Sequence, residues 1–122
     1  MSDVHSHPTA VELLDATIEF LKDAIAPTAP AEHAFHLRVA LNALEMVRRE
    51  VISADGDDAA HRSRLAAIGY ADDAVLAAAL RAGEVPADRM AQVRASLIAD
   101  AETRLRVVNP RFVADYDAVP PA

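Results

Sequence analysis

Four polar side chains recur at helical spacing in an otherwise apolar stretch: Arg38, Asn42, Glu45 and Arg49. Steps of three and four residues put them on one narrow helix face. Arginine holds anions well because its planar guanidinium offers two parallel donors to two oxygens. The strip is therefore a candidate site for an anionic ligand or an acidic partner segment. It is equally the pattern of the one wet edge of a central helix. There Glu45 and Arg49, four apart in the favourable order, would form a pair worth about 0.3–0.5 kcal/mol. The residue types leave both readings open.

His33 and His36 lie on the opposite side of the same segment, beside Ala40, Ala43 and Val47. That placement predicts that His36 points into the core. A core histidine is held by a single hydrogen bond, or else it titrates near neutrality and serves as a general base. Two histidines three apart on a helix could share a metal ion, with Glu32 and Glu50 nearby. A clear third and fourth ligand are missing, so no metal site is expected. His5, His7 and His61 do not strengthen one. There is no cysteine, hence no disulfide and no thiolate ligand. No serine sits in a glycine-flanked elbow, and there is neither a phosphate-cradling glycine loop nor a dinucleotide fingerprint. Asp57-Asp58 and Asp72-Asp73 read as helix starts, where the dipole favours acids. No cofactor is expected, and an enzyme is less expected than a binding protein.

The elements that must position these groups are all helical. The expectation is an all-α chain: a compact antiparallel bundle of four to five helices, with the second at its centre. The first helix spans about 10–26. It opens on a Thr9/Glu12 capping box and carries a stripe of Val11, Leu14, Ile18, Leu21 and Ile25. Pro27 stops it. The second spans about 31–52 and is apolar on most sides, which marks it as central. Gly56 then separates it from a short third helix, about 57–68, that ends at Gly69. The fourth runs over about 72–83. The fifth spans 86–108 with Met90, Val93, Leu97, Ala101, Leu105 and Val108 inward, and Asn109-Pro110 ends it. Phe112 and Tyr116 lie in the following tail, where aromatics dock either on the protein's own helices or in a partner's groove. One domain covers 1–122, with mobile ends at 1–8 and 117–122.

Composition narrows the setting. At 122 residues and 52% hydrophobic, the chain can bury a core of its own. A net charge of −7 would repel a phosphate backbone, which makes nucleic acid a poor partner. No apolar run is long enough to cross a bilayer, so no membrane partner is expected. The first eight residues lack a basic cluster followed by an apolar stretch, so no signal peptide is read and a cytoplasmic location is expected. Abundant alanine, and a basic set of arginines with Lys22 the one lysine, suit a GC-rich bacterial genome.

Three stretches then carry a resemblance. They are His7-Pro8-Thr9-Ala10 with Glu12-Leu13-Leu14; Ala34-Phe35-His36, Arg38-Val39-Ala40, Asn42-Ala43-Leu44, Val47 and Arg49-Glu50; and Leu105 with Asn109-Pro110-Arg111-Phe112. Together they resemble the bacterial family catalogued as domain of unknown function 6285. From about 56 to 87 the likeness is confined to helical, alanine-rich character. The family brings no catalytic residues. The resemblance implies genes beside an aminoglycoside-phosphotransferase-like kinase and an acyl-CoA dehydrogenase, and hence a shared pathway such as acyl-CoA or hydroxyacyl catabolism. It also adds Arg111 and Asn109 to the residues of interest.

The expected function is thus a non-catalytic accessory or interaction protein. It would act with a kinase-like phosphotransferase or an acyl-CoA-handling enzyme, through the arginine strip or the aromatic tail. The alternative is a small binding module or enzyme for an anionic metabolite, an acyl-CoA or phosphorylated acid. Arg38, Arg49 and Arg111 would then hold the charge, and His36 or Glu50 would move the proton. A homodimer scaffold is a third possibility.

Overall fold

The computed structural model describes Val4 and residues 6–120. Five α-helices make up the architecture: α1 (Ala10–Phe20), α2 (Ala31–Ala67), α3 (Asp73–Ala82), α4 (Met90–Val108) and α5 (Pro110–Asp117). Among the described residues there is no strand, and the chain is all-α. Of the ends expected to be mobile, residues 1–3, 5, 121 and 122 lie outside the described residues. The chain divides into two compact units, Met1–Ser53 and Ala54–Ala122, and α2 contributes to both.

The first unit is a helical hairpin. Its capping box forms as the sequence predicts: the Glu12 amide donates to Thr9 Oγ1 at 3.1 Å, and the Thr9 amide donates to Glu12 Oε2 at 3.4 Å. The helical path does not stop cleanly at Pro27. A π-helical turn, Leu21–Ile25, follows α1, and a 3₁₀ turn, Ala26–Thr28, then accommodates the proline near its start, where its missing N–H costs nothing. The Thr28 hydroxyl donates to the carbonyls of Ala24 and Ile25. Half-buried Val11, Leu14, Ile18 and Leu21 line one side of α1, and half-buried Leu37, Leu41, Leu44 and Arg48 one side of α2. The ion pair from Arg48 Nε to Asp15 Oδ1, 2.5 Å, joins these two sides. No described side chain of this unit is fully buried.

The second and third helices expected from the sequence are one. Gly56 lies inside α2, which runs unbroken for 37 residues. A glycine in a helix interior costs only about 1 kcal/mol relative to alanine, and the hydrogen-bonded ladder carries through it. The true stop is Gly69, at φ 86°. A Cβ there would also meet Arg89 Nη1 at 2.9 Å, and that guanidinium donates to the Ile68 carbonyl.

The second unit holds the core: Leu65, Ile68, Leu76, Val85 and Val93, with Tyr70, Ala79 and Met90 packed around them. Fully burying each such aliphatic contributes roughly 1.5–3 kcal/mol. Val93 is only 1% exposed. Asp72 caps α3 by accepting from the Val75 amide at 2.9 Å, and Gly83 closes it in the left-handed conformation. In α4 the inward stripe is rotated from the expected one. Val93, Ser96 and Val107 are buried and Asp100 and Thr103 half-buried, while Leu97 and Ala101 are exposed. The tail forms a helix: Asn109 caps α5 by accepting from the Phe112 amide, and Val113 is buried.

Candidate functional site

The arginine strip lies on the first unit's part of α2. Arg38 and Asn42 are exposed, and Glu45 and Arg49 are half-buried, so the strip is not sealed inside the protein. Glu45 and Arg49 line a groove of about 370 Å³ with Asp15, Ile18 and Arg48. Arg48, which the sequence reading passed over, supplies the guanidinium that reaches α1. It escaped notice because it lies on the apolar side of α2, where its stem covers leucines while its head meets Asp15. Two arginines and two carboxylates thus share the groove, and their charges largely cancel.

His36 does not point into the core. It is exposed, and its ring meets Phe35 edge-on at 5.5 Å and 81°. The reason is the side of α2 that faces α1, the Leu37, Leu41 and Leu44 side, which lies about a quarter-turn around the helix from His36. His33 and His36 instead line an open groove of about 530 Å³ with Ile25, Thr28, Ala29, Pro30 and Leu37, beside the π-helical turn. Arg111 is exposed on the first turn of α5, in the second unit.

The strongest polar cluster is one that sequence reasoning missed. His61 on α2 holds two carboxylates: Nε2 lies 2.9 Å from Asp73 on α3, and Nδ1 lies 2.9 Å from Asp100 on α4. Arg64, one turn along α2, donates to the same Asp100 from Nε at 3.1 Å and also from Nη2. The hydrogen bond to Asp100, then that to Asp73, raises the His61 pKa above its ordinary 6.5, outweighing its slight burial. For Asp100 burial is the largest influence and acts upward, but the hydrogen bonds from Arg64 and His61 together leave its pKa below 3.8. With both ring nitrogens engaged by carboxylates, the charged form of the imidazole is stabilised relative to a free histidine. The cluster ties three helices together. Among the described residues, no group of three or more acidic or histidine side chains is placed to hold a metal ion.

The aromatic side chains stand out by where they are. Phe20, Phe35, Phe112 and Tyr116 are 59%, 64%, 51% and 64% exposed, so of five aromatics only Tyr70 joins a core. Phe112 and Tyr116 stack on one face of α5, with ring centroids 6.4 Å apart and planes 13° from parallel. The expectation that these tail aromatics dock on the protein's own helices gives way to Val113, which faces inward in their place.

The class defined by these features is a small all-helical chain with shallow open grooves and exposed aromatics. No described helix is long and apolar enough to cross a membrane. The family described as Domain of unknown function (DUF6285) matches residues 27–112, and the chain belongs to that family. Neither the curated proteins nor the solved structures give a match.

Proposed function

We propose that this chain is a non-catalytic interaction protein of the bacterial cytoplasm, an accessory to a kinase-like phosphotransferase or an acyl-CoA-handling enzyme. The observation that carries the reading is the exposure of all three phenylalanines and Tyr116. Aromatics give large contact area for little lost freedom, and they are the side chains most enriched where proteins meet. A chain that fills its core with leucine, isoleucine and valine and leaves its aromatics outside has surface suited to a partner. The stacked pair Phe112 and Tyr116 is the anchor proposed for the enzyme. The test is co-expression with such a kinase from the same organism. The two should co-purify, and Phe112→Ala with Tyr116→Ala should weaken the complex by at least about tenfold. Clean separation at micromolar concentration would refute the proposal.

The second reading, an anionic-metabolite site, has one observation in its favour: Arg48 and Arg49 line one groove. Asp15 and Glu45 in the same groove work against it, because an anion would displace carboxylates already in place.

A further inference from the structure

In the second unit a single proton bears on how firmly α3 is held. The His61 ring on α2 reaches Asp73 on α3 from Nε2 and Asp100 on α4 from Nδ1, each at 2.9 Å. An imidazolium donates from both nitrogens, a neutral imidazole from only one. When the ring loses its proton, one of the two carboxylates must face a lone pair. The two are not equivalent. The Asp100 side chain is 25% exposed and that of Asp73 72%. A carboxylate kept from water suffers more from a lost donor, whereas Asp73 can turn to solvent. Arg64 also keeps Asp100 anchored to α2 whatever the ring does. The remaining N–H therefore stays with Asp100, and the contact given up is the one to α3.

Beyond that contact α3 is lightly held. Leu76 is its one fully buried side chain, while Val75 and Leu80 are exposed. Among the described residues, the His61–Asp73 pair is the one ion pair from α3 to another helix. Gly69 at φ 86° and Gly83 at φ 69° stand on either side of α3, in a region of backbone space open chiefly to glycine. Asp57, Asp58 and Arg64 on α2, Asp72 on α3 and Arg104 on α4 are the other charged groups within a helical turn of the three side chains. Histidine is the one type among them whose ordinary charge change falls between about pH 5 and 8, so the ring is what switches.

We propose that His61 is a pH-sensitive latch on α3. Charged, it ties α2 to both α3 and α4; neutral, it keeps α4 and frees the first turn of α3 to swing between Gly69 and Gly83. The opening uncovers Leu65, Ile68 and Val93, which share a core with Leu76. Hydrogen bonding to both carboxylates raises the ring's pKa above 6.5, so release comes as pH rises through that raised value.

Hydrogen exchange of the full chain at about pH 5.5 and about pH 8.5, corrected for intrinsic rates, tests it. On going to the higher pH, α3 amides should lose roughly two- to fivefold more protection than α4 amides. Asp73→Asn, at an exposed position, should abolish that difference, because an amide can accept from the charged ring and donate to the neutral one. His61→Gln should show weak α3 protection at both pH values. Equal loss in α3 and α4, no loss at all, or a difference that survives Asp73→Asn would overturn the proposal.

Discussion

The two units solve the problem of apolar surface differently. Residues 54–122 close α3, α4 and the end of α2 over five buried aliphatics. Residues 1–53 form a hairpin in which no described side chain is fully buried, although the segment is rich in leucine, valine and isoleucine. Two helices alone can cover only one side of each other, so the far side of an apolar helix stays wet unless something else covers it. The second unit holds the fully buried aliphatic side chains, and the first leaves much of its apolar surface exposed.

The sharpest way to break that contrast is substitution on each side of it. Leu76→Ala in the second unit should cost about 2–5 kcal/mol in urea unfolding. Val39→Ala in the first should stay within about 0.5 kcal/mol in dilute solution. Equal costs would erase the distinction. Next in size is the polar clamp of the second unit. Asp100→Asn takes the charged acceptor from both Arg64 and His61, and should cost roughly 2 kcal/mol.

The same clamp predicts a pH dependence. Folding raises the His61 pKa, so its contribution is complete below 6.5 and is lost as pH climbs through the raised value. Folding lowers that of Asp100, so its contribution is present above 3.8 and is lost as pH falls through the lowered value. Stability should therefore fall on both sides of a mildly acidic optimum, and His61→Gln should flatten the alkaline side. The smallest effect is at Gly56. Its added Cβ would meet nothing within 4 Å and its backbone is helical, so Gly56→Ala should stabilise the chain by about 0.5–1 kcal/mol in thermal unfolding.

Much of the fold was legible because local chemistry decided it. The Thr9 box, the Asp72 cap, the Gly83 closure and the Asn109-Pro110 boundary all stand where the residues place them. The failures share a cause: residue types were weighed without their partners. Gly56 and its flanking aspartates look like a break, yet a continued hydrogen-bond ladder outweighs one glycine's entropy. The α4 stripe was assigned to Leu97 and Ala101. Periodicity counts apolar types and does not foresee that Asp100 turns inward to meet Arg64 and His61, distant in sequence. The same counting places His36 in the core, whereas α1 covers a different side of α2 and leaves His36 exposed. The candidate surface was only half visible: Phe112 and Tyr116 stand out in the tail, but the helix that stacks them on one face while Val113 turns inward is not legible from residue types alone.

Hydrogen exchange of the chain alone and with the kinase present would test most directly whether the exposed aromatics of α5 are covered by the enzyme. The account predicts that amides at 35–51 exchange faster than those at 65–68, 76 and 93 in dilute solution. Amides at 110–117 should slow markedly when the enzyme is added. Exchange at 35–51 already as slow as in the second unit, or rates at 110–117 unmoved by the enzyme, would contradict it.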